Sequence, residues 1–301
     1  MDYMKLLEKC NLCMRNCNVN RNKGVKGLCN STNNIRIARA ALHFWEEPCI
    51  SGENGSGTVF FSNCNLKCVF CQNYEISSEG FGKEITIDRL ADIFIELQEK
   101  GANNINLVTP THFVPQIIEA LKIAKNNGLD LPIVYNTNSI DTLDTIKALN
   151  GYIDVYLPDF KYFEDKYSMK YSKIKGYSKN VIDVIDEMIK QVGAPKFNKD
   201  GIIEKGVIVR HLLLPGLLFD SKKVVDAIYN NFGDNVYISL MNQYTPMHNA
   251  KMYPEINKSI NEKTYDVLID YALSIGIKNG FIQESGTNSK EFVPDFNNEG
   301  V

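Results

Sequence analysis

Cys64-Asn65-Leu66-Lys67-Cys68-Val69-Phe70-Cys71 follows a short apolar run, Thr58-Val59-Phe60-Phe61. The run has the length and the β-branched, aromatic content of a buried strand. Three thiols within eight residues, in a loop just past a strand, can all face one point. A 4Fe–4S cluster is ordinarily held by four cysteine thiolates. Three of them with no close fourth leave one iron free to bind something else. The competing reading is a structural zinc, which usually takes four ligands in paired C-x2–4-C knuckles. No second knuckle follows Cys71, so the spacing favours the cluster.

Outward from that stretch, apolar runs alternate with helical stripes. Leu90, Ile93, Phe94 and Leu97 fall at i, i+3, i+4 and i+7, and Gly101 closes that helix. A helix from about Val114 has Pro115 in its first turn, with Ile117, Leu121 and Ala124 on one face and Gly128 as its stop. Further helices are expected at Thr142–Leu149, through Val181–Val192, around Val224–Ile228 and through Tyr265–Ala272. Between them, 105–108, 132–135, 153–157, 207–212, 236–240 and 280–283 read as strands. Strand–helix repetition implies a parallel sheet with right-handed crossovers. Six or seven units fit, short of the eight of a closed barrel. The fold class is therefore α/β, an open partial (βα)6-type TIM-like barrel with a cysteine-rich N-terminal extension. Residues 1–50 form the extension and 51–301 the core.

The extension reads Cys10-x2-Cys13-x3-Cys17-x11-Cys29, interleaved with Arg15, Arg21, Lys23 and Lys26. It lacks hydrophobic periodicity and cannot build a core alone, so a metal is the expected staple. Four thiolates suit zinc, a single iron or a second iron–sulfur cluster. The basic residues either solvate the loop or offset thiolate charge. His43 reads as a packed histidine or a ligand, and Cys49 as a spare ligand or a small buried hydrophobe. None of the eight cysteines lies beyond Cys71. Closely spaced thiols of this kind suit metal binding in a reducing compartment.

The 301 residues carry a net charge of −3, with 44% hydrophobic and 23% charged residues. That balance suits a globular protein and argues against nucleic-acid binding through phosphate contacts. No 18-residue apolar run occurs, and the first ten residues lack a signal peptide's apolar stretch, so no membrane association and a cytoplasmic location are expected.

In parallel α/β folds the active residues gather where strands end. Those ends carry Gln72-Asn73-Tyr74, Thr109-Pro110-Thr111-His112, Asn136-Thr137-Asn138-Ser139, Pro158-Asp159-Phe160-Lys161, Arg210-His211 and Met241-Asn242-Gln243-Tyr244. Polar groups at nearly every end mark that edge as a binding mouth. The segment 160–171, rich in Tyr and Lys, reads as a border of the mouth or an amphipathic surface helix. The tail Phe292–Val301 is left unassigned.

The C-x3-C-x2-C spacing, with Phe70 before the last cysteine, resembles the signature of the radical S-adenosylmethionine (SAM) enzymes. Asp159-Phe160-Lys161 resembles the D-x-K element of the glycyl-radical-enzyme activases. Val209-Arg210-His211 with Pro215-Gly216 resembles their V-R-x4-P-G strand, and Asn136-Thr137-Asn138 is similar to their D-T-N stretch. With Glu46-Glu47-Pro48-Cys49 included, the whole chain resembles the PflX-type, pyruvate formate-lyase activating enzyme-like branch.

The resemblance implies that Cys64, Cys68 and Cys71 hold a 4Fe–4S cluster whose fourth iron takes the SAM amino and carboxylate groups. It places the Phe70 backbone at the adenine. The branch's usual Gly-Gly-Glu is absent, and Thr109 or Thr111 is expected in its role at the SAM amino group. Asn136, Asp159, Lys161, Arg210 and His211 are expected around the cofactor. Of the two aspartates that bind a monovalent cation in the activases, only Asp159 is carried over. The resemblance further implies an anaerobic setting, a flavodoxin or ferredoxin as electron donor, and a glycyl radical enzyme as substrate. The alternatives are radical chemistry on a small molecule or another protein, and a zinc-binding interaction module.

Overall fold

The computed structural model describes residues 2–283 and 294–301. Its strands are β1 (Ile35–His43), β2 (Ser56–Phe61), β3 (Lys83–Ile85), β4 (Ile105–Val108), β5 (Ile133–Thr137), β6 (Val155–Pro158), β7 (Lys196–Phe197), β8 (Ile203–Leu212), β9 (Tyr237–Met241) and β10 (Gly280–Ile282). Its helices are α1 (Pro48–Ser51), α2 (Tyr74–Ser77), α3 (Ile87–Glu99), α4 (Val114–Asn126), α5 (Leu143–Ala148), α6 (Asp165–Ser172), α7 (Tyr177–Val192), α8 (Leu218–Phe232) and α9 (Glu262–Ser274).

Among the described residues the sheet order is β10-β9-β8-β6-β5-β4-β2-β1-β3, with β7 paired to β8. From β2 to β10 all neighbours are parallel. Six strand–helix units (β2–α3, β4–α4, β5–α5, β6–α7, β8–α8, β9–α9) thus lead to a seventh parallel strand, and the sheet stays open. β1 and β3 close one edge in antiparallel fashion. β1 comes from the cysteine-rich extension and pairs along β2 from Ile37–Phe61 to His43–Ser56, so extension and core share one sheet.

The helices form where the stripes place them. Thr86 caps α3 by accepting from Arg89 N at 3.1 Å, and Gly101, at φ +83°, lets the chain turn away after it. Leu90, Ile93, Phe94 and Leu97 are all buried beneath that helix. Each such side chain contributes about 1.5–3 kcal/mol. The larger stripe of α7 buries Val181, Val184, Ile185 and Met188 in the same core.

Residues 160–171 do both things the sequence offers: Lys161 lines the mouth, and α6 is an amphipathic surface helix with Lys166, Met169 and Lys170 exposed, while Tyr162 and Tyr171 are fully buried in the core. The tail lies along β1: Asn298 N donates to Ala38 O at 3.0 Å, Ala40 N donates to Glu299 O at 2.8 Å, and Arg39 pairs with Glu299. Phe292 and Val293 of that tail lie outside the described residues. No helix among the described residues is long and apolar enough to cross a membrane.

Candidate active site

The loop after β2 is shaped by contacts from three directions. Asn63 and Lys67 adopt left-handed backbone at φ +70° and +57°, which costs non-glycine residues energy and needs outside support. Arg15 supplies it from the N-terminal extension. Its guanidinium donates to Asn65 O at 2.9 Å, Leu66 O at 2.9 Å and Ser172 O at 2.8 Å, and also to Lys173 O. From behind, Val69 N donates to Tyr171 O at 2.9 Å. From the β5 side, Asn138 Nδ2 donates to Asn65 Oδ1 at 2.8 Å.

Each sulfur of the motif receives a hydrogen bond. Leu66 N and Asn138 Nδ2 donate to Cys64 Sγ at 3.3 and 3.5 Å, Ser172 Oγ to Cys68 Sγ at 3.2 Å, and Ser77 Oγ to Cys71 Sγ at 3.2 Å. Donors aimed at sulfur are the surroundings that iron–sulfur thiolates take, where they tune the reduction potential. Burial pushes the Cys68 thiol up and the Cys71 thiol up to about 12, which disfavours the bare thiolates. The donor set therefore fits a metal–sulfur group. Among the described residues, no three Cys, His, Asp or Glu side chains form a closed, ready-made ligand group, here or at the N-terminal cysteines.

The three cysteines line a cavity of about 220 Å³ at the carboxyl ends of the parallel strands. Phe70, Thr109, Asn136, Asp159, Lys161 and Arg210 line it too. Phe70 meets Tyr244 edge-on at 5.8 Å. Thr109 stands at the end of β4 with φ +58°, a left-handed geometry unusual for a β-branched residue, and its N donates to Asn136 O at 2.9 Å.

The same cavity carries a mostly buried charge array, with Lys161 close enough to Cys68 to interact electrostatically. Lys161 Nζ lies 2.6 Å from Asp159 Oδ2, and Arg210 Nε lies 3.0 Å from Asp159 Oδ1. Arg210 also donates to Glu46 Oε2 at 3.2 Å and Asn136 Oδ1 at 2.5 Å. Glu46 Oε1 accepts from Asn106 Nδ2 at 3.1 Å and Asn136 Nδ2 at 3.3 Å. Burial pushes the Asp159 carboxyl up, but Lys161 and then Arg210 outweigh it and hold the group below the ordinary carboxylate value. Burial likewise opposes the charge on Lys161, and Asp159 overcomes it, so the ammonium is held above its ordinary value. Glu47, one residue on and fully desolvated, is pushed the other way by burial.

Two of the expected residues are not in the cavity. Thr111 is fully buried in the turn after β4, its hydroxyl 3.4 Å from Thr137 Oγ1. His211 is buried on the far face of β8, its Nδ1 2.7 Å from Phe160 O. Alternation along a strand is the reason: Arg210 and Leu212 face the cavity, so His211 between them cannot. Asn136 and Asn138 face it while Thr137 turns away, and Asp159 and Lys161 face it while Phe160 is core. His43 lines the cavity edge, packed on Phe60 at 5.9 Å, and burial lowers its imidazole to about 4. Cys49 is core, packed with Ile50, Val134 and Val155.

Asn138 and Glu46 are among the cavity residues to which the sequence reading gives no role. Asn138 was in the quoted stretch and is assignable by parity with Asn136. Glu46 lies before the first barrel strand, where no strand-end rule applies. Its one signal is a pair of acidic residues set between Trp45 and Pro48 in an apolar surround.

Behind Arg15, the N-terminal thiols line a second, much smaller cleft. Cys10, Cys13, Cys17 and Cys29 surround it with Arg21 and His112. Its walls are tied to the barrel by Met14 N to Ile140 O at 2.8 Å and Thr142 N to Leu12 O at 3.1 Å.

The family model for the radical SAM superfamily matches residues 58–228, from β2 into α8. The chain belongs to the radical SAM superfamily. It is 32% identical over 277 residues to an uncharacterized protein of Methanocaldococcus jannaschii, covering 89% of this chain and 75% of that one. It is 23% identical over 194 residues to a pyruvate formate-lyase-activating enzyme of Clostridium pasteurianum, covering 60% of this chain and 71% of that one. Its fold is similar to that of Streptococcus suis SuiB bound to S-adenosylmethionine, with a TM-score of 0.53 at 16% identity over 75% of this chain. The chain spans about half of SuiB, 49% of its length.

Proposed function

We propose that the chain is an enzyme that binds a 4Fe–4S cluster through Cys64, Cys68 and Cys71, binds SAM in the adjoining cavity, and generates a radical there. The observation that carries this reading is the cavity itself, where three hydrogen-bonded sulfurs face an array of Asp159, Lys161, Arg210 and Glu46. When bound, the reduced cluster supplies one electron to the SAM sulfonium, releasing methionine and a 5′-deoxyadenosyl radical able to abstract hydrogen from a substrate.

The protein's own residues bind and orient. Lys161 and Arg210 present cationic donors to the carboxylate of the methionine end, and Asp159 and Glu46 present acceptors to its ammonium. Thr109, at the position of the missing Gly-Gly-Glu, contributes its hydroxyl beside them. The Phe70 backbone meets the adenine, with Tyr244 behind the Phe70 ring. Phe60, Val108 and Leu212 supply an apolar wall that keeps water from the reacting carbon.

Within this class we assign the chain to activation of a glycyl radical enzyme, in an anaerobic setting, with a flavodoxin or ferredoxin as electron donor. Support comes from Asp159-Phe160-Lys161, the Val209-to-Gly216 stretch and the relative named as a pyruvate formate-lyase-activating enzyme. The test is anaerobic reconstitution followed by SAM cleavage with dithionite. Wild type is expected to hold about four irons and four sulfides and to cleave SAM. Single Cys64→Ala, Cys68→Ala and Cys71→Ala variants are expected to do neither, and full cleavage by any of them sinks the reading. Electron paramagnetic resonance of candidate partners then tests the target: absence of a glycyl signal from all of them removes the activase assignment and leaves the SAM chemistry standing.

A further inference from the structure

Arg21 is fully buried, and both oxygens it reaches are neutral carbonyls. Its guanidinium donates to Thr32 O at 3.1 and 2.5 Å and to His112 O at 2.5 Å, sits 5.7 Å over the Phe113 ring, and has Cys10 Sγ at 3.8 Å as its remaining hydrogen-bond partner. Arg15, two residues past Cys13, likewise spends its donors on carbonyls. Among the described residues neither arginine forms an ion pair with a carboxylate. A buried cation without a counter-charge is strongly disfavoured, so negative charge belongs beside Arg21, and the partly exposed Arg15 borders the same cleft.

The cleft they flank supplies it. Cys10, Cys13, Cys17 and Cys29 line one narrow cleft, with room of about 10 Å³ for a single ion. Leu28 N donates to Cys17 Sγ at 3.4 Å. A Cβ on Gly27 would come within 3.0 Å of that sulfur, so the backbone closes directly against it. Residues 10–34 have no regular element beyond a three-residue turn at Arg21–Lys23, yet they hold a defined shape. A core too small to stabilise such a segment is the usual setting for a structural metal.

We propose that Cys10, Cys13, Cys17 and Cys29 bind one metal ion, zinc or iron, as a tetrathiolate centre whose charge Arg21 and Arg15 balance. Four thiolates on a divalent ion leave two negative charges, and two arginines face them. Binding releases the four thiol protons to solvent and changes no oxidation state. The centre fixes Arg15, whose other end grips the loop of Cys64–Cys71, so it acts as a brace for that loop.

The test uses the full chain with Cys64→Ala, Cys68→Ala and Cys71→Ala combined, purified anaerobically. One ion per chain is expected, without acid-labile sulfide. X-ray absorption at the edge of the metal found, zinc or iron, is expected to show about four sulfur neighbours near 2.3 Å. Adding Cys10→Ser, Cys13→Ser, Cys17→Ser and Cys29→Ser is expected to abolish binding. Should that chain not fold, Cys17→Ser alone is expected to weaken retention against a chelator at least tenfold. Absence of metal, the presence of sulfide, a shell of nitrogen or oxygen, or retention undiminished in the serine variants overturns the proposal. The SAM reading rests on cysteines already removed here, so either conclusion can fail without the other.

Discussion

Replacing Arg210 by Met tests whether the cavity's charge array is a coupled unit. The guanidinium stands 3.0 Å from Asp159 and 3.2 Å from Glu46, and the three side chains are only 14%, 14% and 10% exposed. Taking one partner from a buried pair costs about 3–5 kcal/mol, because the other charge is left desolvated. The cost here falls at or just below the lower end of that range, since Asp159 keeps Lys161 and Glu46 keeps Asn106 and Asn136. We expect a loss of about 2–3 kcal/mol. For a chain of 301 residues, with about 2.1 cal/mol/K of unfolding entropy per residue, that is a fall in Tm of roughly 3–5 °C. Thermal unfolding of Arg210→Met, Asp159→Asn and the double variant, all without cluster, gives the coupling directly.

The pH dependence supplies a second check on the same variant. Asp159 is held below its unfolded value, so its contribution is present above the unfolded pKa near 3.9 and is lost as pH falls through the lower folded value. Without Arg210 that folded value rises toward the unfolded one, so the contribution of Asp159 and the acid loss that goes with it both shrink. A Tm within about 1 °C of wild type, or single effects that simply add, would refute the idea of a coupled array.

His211 and Ser172 carry further predictions. Burial lowers the His211 imidazole to about 4, below its unfolded value, so stability is lost as pH falls from 6.5 toward 4. His211→Gln is expected to remove a slope of up to about 1.4 kcal/mol per pH unit in that window, read as the difference in urea midpoint between pH 7 and 5; an unchanged difference contradicts it. Ser172→Ala deletes the hydroxyl that donates to Cys68 Sγ at 3.2 Å. That bond stabilises the more negative, reduced cluster, so its loss is expected to lower the potential in a redox titration. A rise, or no change, counts against cluster ligation by Cys68.

The sequence's apolar runs were enough to place all the parallel strands, because a buried parallel strand must be apolar along its length. Strand ends were equally legible, and they led to Thr109, Asn136, Asp159, Lys161 and Arg210. Facing was not, although it was available: counting by twos from Arg210 excludes His211 and retains Leu212. Glu46 was beyond reach for a different reason. It enters the cavity from the antiparallel edge, and only the tertiary register of β1 on β2 brings it to Arg210. In 162–171 the alternation of Lys and Tyr marks the wet face of α6 at Lys166, Met169 and Lys170, and the buried members are Tyr171 and Tyr162, whose hydroxyl meets Ser172 Oγ at 2.9 Å.

Arg15 shows how the two cysteine sets depend on each other. The loop after β2 holds Asn63 and Lys67 in left-handed backbone, at a cost of roughly 1–2 kcal/mol for Lys67, so its own sequence does not select the shape in which three sulfurs share a cavity. Arg15 offsets that cost by joining carbonyls 65 and 66 of the loop to carbonyl 172 at the end of α6, beside the serine that donates to Cys68. Hydrogen bonds from a charged donor contribute about 1.5–3 kcal/mol each before non-additivity. Arg15→Met is therefore expected to cost about 3 kcal/mol and to halve or worse the iron retained at Cys64–Cys71, though no ligand has been touched. Arg15→Lys keeps the charge but cannot span both backbones, and is expected to resemble Met. Full iron content in both variants would mean that the loop keeps its shape unaided, and the bracing role would fall.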